Sequence, residues 1–583
     1  MDFLDMDSEC LNGNDPSVPD MNREVLETSV EGIAEWFTGA VLLVTGGTGF
    51  VGKALLEKLL RSCPGIETVY VLMRPKRGLS VEQRYKELLK NQVFDRIRSR
   101  WPERLEKLQP IAGDVSAPQL GVSPQQLRLL ERVHTVFHSA ATVRFTESLQ
   151  TATALNVQGT ATLLQLAADM PLLKVTPDCV RSIFQRLNAE PITRAGARVD
   201  GVQQRASLGS GGARVPPAVR AGHAAALRGH AAARHPRAHR AITVGRYRFR
   251  FLVREVPKLT PSLTPSVCVQ GEHPNPYTLT KALAESIVNS HTELPVCIVR
   301  PSIVTAAFQE PFPGWIDNVY GVTGIIMEIS RGTYRSGYCR ERYVVDLVPV
   351  DILVNCCILA AWRQACKRPG HCPVYNVTSG SIDPLQWGNF TRLCVKWARE
   401  NPTKYVMWYP NFSFTESRAL NSFWEMSLHF LPAFLYDLAL RAQGRKPIMM
   451  KIARRFKMAA ATGEYFANHE WQFGVMKLLA LHADAAGAAD SAEFPAWPTK
   501  FSWEAYVGAY MLGIRRFILK DTLDSLPQAR TKLNRSASTR HRTIGDVRQC
   551  CNIDVSAFRL YWVHRVLQAV TGYYLFRLLA RLR

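Results

Sequence analysis

The chain has 583 residues, 47% hydrophobic and 21% charged, which excludes a disordered or fibrous protein and leaves room for two or three domains. Its formal net charge of +23 is no evenly spread nucleic-acid surface, because residues 175–250 alone hold fourteen arginines, no lysine and three acids. Thirteen scattered cysteines without a CxxC pair at zinc spacing suit a reducing compartment, and no metal site is expected.

Residues 1–36 form an acidic tail with ten acids and one base, Arg23, leading into a short helix. No basic stretch precedes an apolar one there, so no secretory signal is expected. Residues 40–44 (Ala-Val-Leu-Leu-Val) are short, apolar and ended by glycines, which predicts a buried parallel strand. A helical pattern follows over 53–60. Between them stand Thr45, Gly46, Gly47, Thr48, Gly49, Phe50, Val51 and Gly52. Glycines at 46, 49 and 52 permit a tight turn and let backbone approach a pyrophosphate at the helix start, where free N–H groups point outward. The strand before and the helix after make this a dinucleotide-binding loop.

Residues 69–73 predict a second strand. At its end NAD sites place an acid for the ribose hydroxyls, whereas this chain has Arg74, Pro75, Lys76 and Arg77. Arg74 offers a planar fork to a 2′-phosphate and Lys76 adds charge, so NADPH is the expected cofactor. Residues 108–111 predict a third strand before Asp114 and Val115; Asp114 suits either an adenine amino group or a turn cap. Residues 133–137 predict a fourth, followed by His138, Ser139, Ala140 and Ala141, where small side chains let a cofactor lie against the strand end. Asn156 is read as opening the next helix, holding the sheet together or ordering a water. Strands and helices alternating at this spacing predict an α/β fold, a Rossmann-type doubly wound parallel sheet.

The pattern fails from Val175. Residues 205–240 have almost no large apolar residue at either period, so 175–250 is expected to be aberrant and disordered. Arginine without lysine among Ala, Gly, Pro and His is also what a shifted reading frame in GC-rich sequence yields. Order resumes at Tyr277-Thr-Leu-Thr-Lys281. On a helix Tyr277 and Lys281 share one face. The lysine cation lowers the pKa of a phenol whose ordinary value is ~10, so that the phenol can protonate a carbonyl oxygen as hydride reaches its carbon. Residues 296–299 predict another strand, with Pro301 just beyond it beside the nicotinamide. From about 400 to 521 the pattern is helical and aromatic. Residues 522–583 read as a linker and an apolar tail. The uncharged run 566–576 is short of the ~20 residues of a bilayer span, which predicts an interfacial helix or marginal anchor on a membrane surface.

Together these motifs resemble the extended short-chain dehydrogenases and, more narrowly, the alcohol-forming fatty acyl-CoA reductases. TGGTGFVGK, LMRPK, HSAATVRF, NVQGT, PYTLTKALAE and IVRPSIV occur in that family's order, and segments at 311–318, 346–351, 375–377, 464–466 and 513–516 are similar to its own. The resemblance covers 37–174 and 270–521. The NADP-binding reductase domain is expected over 37–395, and the shift in composition alone places a second, helical domain at roughly 400–521. The resemblance implies two successive hydride transfers from NADPH, taking a fatty acyl-CoA through an aldehyde to a primary alcohol. The implied seat is the endoplasmic reticulum or peroxisome membrane, with the catalytic domain facing the cytosol. Two other readings stand beside it: a sterol-type extended dehydrogenase, which shares the glycine loop and YxxxK but lacks the long helical C-terminal domain, and a catalytically impaired, membrane-associated NADP-binding protein, which the retained Tyr277 and Lys281 oppose. One departure stands out. The family has a strand with a Ser-Thr-Ala-Tyr-like segment after the helix ending near Leu173, and its serine hydrogen-bonds the substrate carbonyl. No such segment follows Val175; Ser182, Ser207 and Ser210 lie in the wrong context. The sheet is therefore expected to lack a central strand and the oxyanion to lack a donor.

Overall fold

The computed structural model describes residues 32–175, 181–185, 239–244, 247–252, 273–291, 293–367, 370–497 and 501–538. Most of the expected acidic tail and the apolar run 566–576 lie outside them.

Seven strands form one parallel sheet: β1 (Val41–Thr45), β2 (Thr68–Met73), β3 (Leu108–Ala112), β4 (Thr135–His138), β5 (Arg181–Gln185), β6 (Val296–Pro301) and β7 (Val374–Val377). Their spatial order is β3-β2-β1-β4-β5-β6-β7. The order reverses between β1 and β4, and ligands of open α/β sheets bind in the crevice above such a switch point. Continuous apolar runs suit β1 and β2 because both faces are covered. Leu42, Val44, Val69 and Val71 pack with helices α1 (Phe50–Ser62) and α4 (Val350–Lys367). Val41, Leu43, Tyr70 and Leu72 pack on the other face with α2 (Gly159–Asp169) and α3 (Pro276–Ser290).

The expected gap in the sheet is not there. β5 lies between β4 and β6, with Thr135 opposite Arg181 and Ser182 opposite Val296. A central position satisfies backbone donors and acceptors on both edges of the strand. Five residues, Arg-Ser-Ile-Phe-Gln, were hidden by the biased composition around them. Within and just beyond the stretch expected to be disordered, His239–Val244 pairs antiparallel with Tyr247–Leu252. The rest of 175–250 beyond Val175 lies outside the described residues.

C-terminal to the sheet come α5 (Trp387–Glu400), α6 (Arg418–Glu425), α7 (Leu431–Ala442), α8 (Met449–Ala467), α9 (Met476–Ala486) and α10 (Trp503–Gly513). Two glycines bring α10 against the sheet-side loop at 311–318. A Cβ on Gly513 would stand 1.7 Å from the Gly314 carbonyl oxygen, and one on Gly314 2.0 Å from that of Ala509. Only backbone without side chains permits such contact. Among the described residues no helix is long and apolar enough to cross a membrane.

Candidate active site

A cavity of about 1890 Å³ opens over the carboxyl ends of the central strands and continues beneath α7 and α8. Its sheet end begins at the glycine loop. Gly46 has φ +74°, and a Cβ there would sit 2.7 Å from the Ala140 nitrogen; one on Gly52 would sit 2.3 Å from the Gly46 carbonyl oxygen. The loop is thus folded tightly enough that only glycine fits, and its backbone faces the space where a pyrophosphate would lie. Gly46, Thr48, Gly49, Phe50, Val51 and Gly52 line the cavity. Thr45 and Gly47 are not among its lining residues. The Thr45 hydroxyl is engaged by His138 Nδ1 at 2.7 Å, and a Cβ on Gly47 would meet Val71 at 2.7 Å. Both shape the loop from behind.

Arg74, Lys76, Asp114 and Val115 line the same end. Arg74 Nη1 donates to Asp114 Oδ2 at 2.7 Å, and Asp114 Oδ1 accepts from the Ser116 nitrogen at 3.0 Å. Asp114 therefore caps its turn and braces Arg74. Burial pushes its carboxyl up, but the bonds from Ser116 and Arg74 outweigh that and hold it below the ordinary range. Arg84 was missed from the sequence, because only folding brings it across. Its Nη1 donates to the Arg74 carbonyl, and its Nη2 reaches Thr48 Oγ1 at 3.2 Å. Burial, and then the charges of Arg74, Arg84, Arg77 and Arg144, lower the pKa of Lys76. Such a crowd of cations at a cavity rim suits a phosphate monoester.

Ala140 and Ala141 line the wall above β4. Asn156 does not open a helix. The helical run begins at Leu149, with Ser148 as its cap, and Asn156 sits within a π-turn, Thr153–Gln158. Its Oδ1 accepts from the Thr142 nitrogen at 2.9 Å and its Nδ2 donates to Thr280 Oγ1 at 3.0 Å. Asn156 so ties the loop after β4 to α3, the helix carrying Tyr277 and Lys281.

Tyr277 is 1% exposed and lines the cavity. Its ring stacks on Phe145 at 5.5 Å, and Phe145 meets Phe466 of α8 at 5.4 Å, so an aromatic bridge joins the two ends of the molecule at this point. Lys281, one turn on, is 8% exposed and, like Asn156, is not among the lining residues; its cation acts on His138. Thr160 Oγ1 donates to the Asn156 carbonyl and so accepts from His138 Nε2 at 3.3 Å, leaving Nδ1 to accept from Thr45. Burial first, and Lys281 second, push the His138 pKa down to about 3, so the imidazole is neutral. Pro301 is buried in β6 and does not reach the cavity; Ser302 beyond it does, its hydroxyl donating to Asp346 at 2.6 Å. Among the described residues no cluster fit to hold a metal ion is present.

The far end is apolar. Ala433 and Tyr436 of α7 and Met449, Ile452, Ala453 and Phe456 of α8 line it. One continuous space thus joins a phosphate-binding loop, a buried phenol and a greasy pocket.

Residues 44–357 match the NAD-binding family described as "Male sterility protein", and 428–521 match a second family of the same description, named Sterile. The chain is 35% identical over 511 residues to Fatty acyl-CoA reductase 1 of Gallus gallus, covering 87% of this chain and 90% of that one. With Fatty acyl-CoA reductase 1 of Homo sapiens the identity is 34% at the same coverage. With Fatty acyl-CoA reductase 2 of Mus musculus it is 32% over 505 residues, or 86% of this chain and 89% of that one.

Proposed function

The chain belongs to the fatty acyl-CoA reductase family, and on that premise we propose that it reduces a long-chain fatty acyl-CoA to a primary alcohol with NADPH, through an aldehyde, at a membrane. The observation that carries this reading is Tyr277, buried at the midpoint of a cavity whose one end suits phosphates and whose other suits an alkyl chain.

The glycine loop fits a dinucleotide, since any Cβ at Gly46 or Gly52 would occupy the cradle. Arg74, Arg84 and Lys76 would hold the 2′-phosphate, Arg74 braced by Asp114. When bound, the nicotinamide supplies hydride to the carbonyl carbon. Tyr277 holds the carbonyl oxygen and gives it the phenolic proton, and Lys281 favours the phenolate that remains. In the first reduction the carbon–sulfur bond breaks, the thiol of CoA leaves and an aldehyde stays. In the second, hydride on the aldehyde carbon and a proton on its oxygen give the alcohol. Asn156 keeps the Thr142 loop and α3 in one register. The family's serine donor has no counterpart in this sequence, which leaves the phenol as the oxyanion's donor. The apolar wall of α7 and α8 shuts water away from the chain.

The test is consumption of NADPH by full-length protein with palmitoyl-CoA in detergent, with alcohol and trapped aldehyde measured by mass spectrometry. Expected are two NADPH per alcohol and little turnover with NADH. Oxidation driven by a sterol ketone and not by palmitoyl-CoA would move the chain to a sterol-type dehydrogenase.

A further inference from the structure

The helices that wall the apolar end of the cavity carry a second surface on their outer side. α7, the turn at 443–448 and α8 form a helical hairpin, fastened where Asp437 Oδ1 accepts from the nitrogens of Ile448 and Met449 and Oδ2 from that of Met450, all at 2.9 Å. Ala433, Tyr436, Ile452 and Phe456 face the cavity. Phe434 and Leu438 stand outward, 52% and 54% exposed, with Arg441 one turn on. The turn exposes Arg445, Lys446 and Ile448, the last at 47%. On α8 the exposed Lys451, Arg454, Arg455 and Met458 fall at i, i+3, i+4 and i+7, one helix face, with Met458 64% exposed.

Apolar side chains of this size are rarely left clustered on a surface that meets only water. Their neighbours give the occupant. Residues 431–458 hold seven cations and one acid, Asp437, which is buried in the turn. Arg441, Arg445, Lys446, Lys451, Arg454 and Arg455 make no salt bridge with a described acid. Large apolar side chains among unneutralised cations match the boundary between acyl chains and anionic headgroups, where apolar groups sink and Lys and Arg stay at the phosphates. A protein partner would need a dense acidic surface around apolar sockets; a second copy of this hairpin would bring cation against cation.

We propose that the 431–458 hairpin docks on an anionic lipid surface, apart from any contact made by the apolar tail. This rests on the acyl reductase reading for its purpose: the hairpin is one helix thick between lipid and cavity, so an acyl chain or long-chain alcohol can pass without crossing bulk water. Docking itself needs no turnover.

The experiment uses full-length protein on phosphatidylcholine vesicles with and without 30% phosphatidylserine, both carrying a trace of photoactivatable phospholipid, with adducts mapped by peptide mass spectrometry. Expected are adducts on peptides from 431–458 that appear with the anionic vesicles and weaken at 0.5 M salt. Arg441→Gln, Lys446→Gln and Arg454→Gln together should lower that adduct yield by about a hundredfold, at ~1 kcal/mol per surface cation. Phe434→Glu with Leu438→Glu should abolish it. Both variants should keep turnover in detergent, which shows that they fold. Adducts confined to 539–583, adducts on 431–458 that ignore lipid charge, or crosslinks between two copies of the hairpin would overturn the proposal. Absent turnover alongside the expected adduct map would sink the reductase reading and leave the docking surface standing.

Discussion

The two ends of the cavity are built by opposite means. At the sheet end, backbone does the shaping: Gly46 and Gly52 are pressed against Ala140 and the Gly46 carbonyl so closely that no side chain fits. Fixed charges stand there, Arg74 held by Asp114 and Arg84 by Thr48 and the Arg74 carbonyl. At the helical end, side chains do the shaping, and Ile452, Phe456 and Tyr436 form a wall with few polar contacts. The first end can change little without failing, because hydrogen-bond geometry is directional. The second can be recut, because apolar contact is not. Tyr277 lies where they meet, touched through Phe145 from both.

This contrast can be broken most sharply at the meeting point. Tyr277→Phe keeps the ring and its stack on Phe145 but removes the proton, so kcat should fall by ~10²–10⁴ while cofactor affinity, read by NADPH fluorescence, holds. A loss confined to KM would mean that the phenol only positions. At the sheet end, Arg84→Ala should raise KM for NADPH by ~10–100-fold and leave that for NADH unchanged, the value of one or two charge-assisted bonds. Equal effects on both cofactors would show that Arg84 does not read the 2′-phosphate. Gly46→Ala should cost ~1–3 kcal/mol in urea denaturation from crowding, beyond the strain of φ +74°. At the helical end, Ile452→Trp should leave short acyl-CoA substrates nearly untouched and disfavour the longest by roughly tenfold, the scale on which apolar pockets discriminate chain length. Unaltered chain preference would move the alkyl chain elsewhere.

At neutral pH the mildest lever is pH itself, although its effect accumulates as the pH falls. His138 is neutral in the fold, with its pKa near 3 against an ordinary 6.5. Above pH 6.5 both folded and unfolded chains carry it neutral, and its contribution to stability is complete. Below that the unfolded chain takes up a proton that the fold refuses. Stability should then fall by up to ~1.4 kcal/mol per pH unit between about 6.5 and 3. The melting temperature of His138→Gln should be flatter across that window than that of the parent chain.

Residues whose placement depends on near neighbours in the chain are legible in the sequence. The glycine loop, the basic residues after β2 and the YxxxK pair are short patterns, and the sheet puts their carriers where the strand order requires. β5 was not legible, because what makes Arg181–Gln185 a strand is the pair of open edges offered by β4 and β6. Arg84 was not, since its partners, the Thr48 hydroxyl 36 residues away and the Arg74 carbonyl across the turn after β2, meet it only in the folded chain. Asn156 was recognised but assigned to a helix start, because nothing local announces a π-turn in the middle of a helical run.

By itself the sequence determined the sheet's class, the glycine loop, the basic residues after the second strand and the spacing of Tyr277 and Lys281, all set by local backbone preference and side-chain chemistry. Tertiary structure alone decided that a composition-biased stretch completes the sheet, that the Thr45 hydroxyl meets His138, and that the outer face of 431–458 is exposed among the described residues. Those depend on which surfaces meet, and burial is a property of the packed chain that no single segment carries.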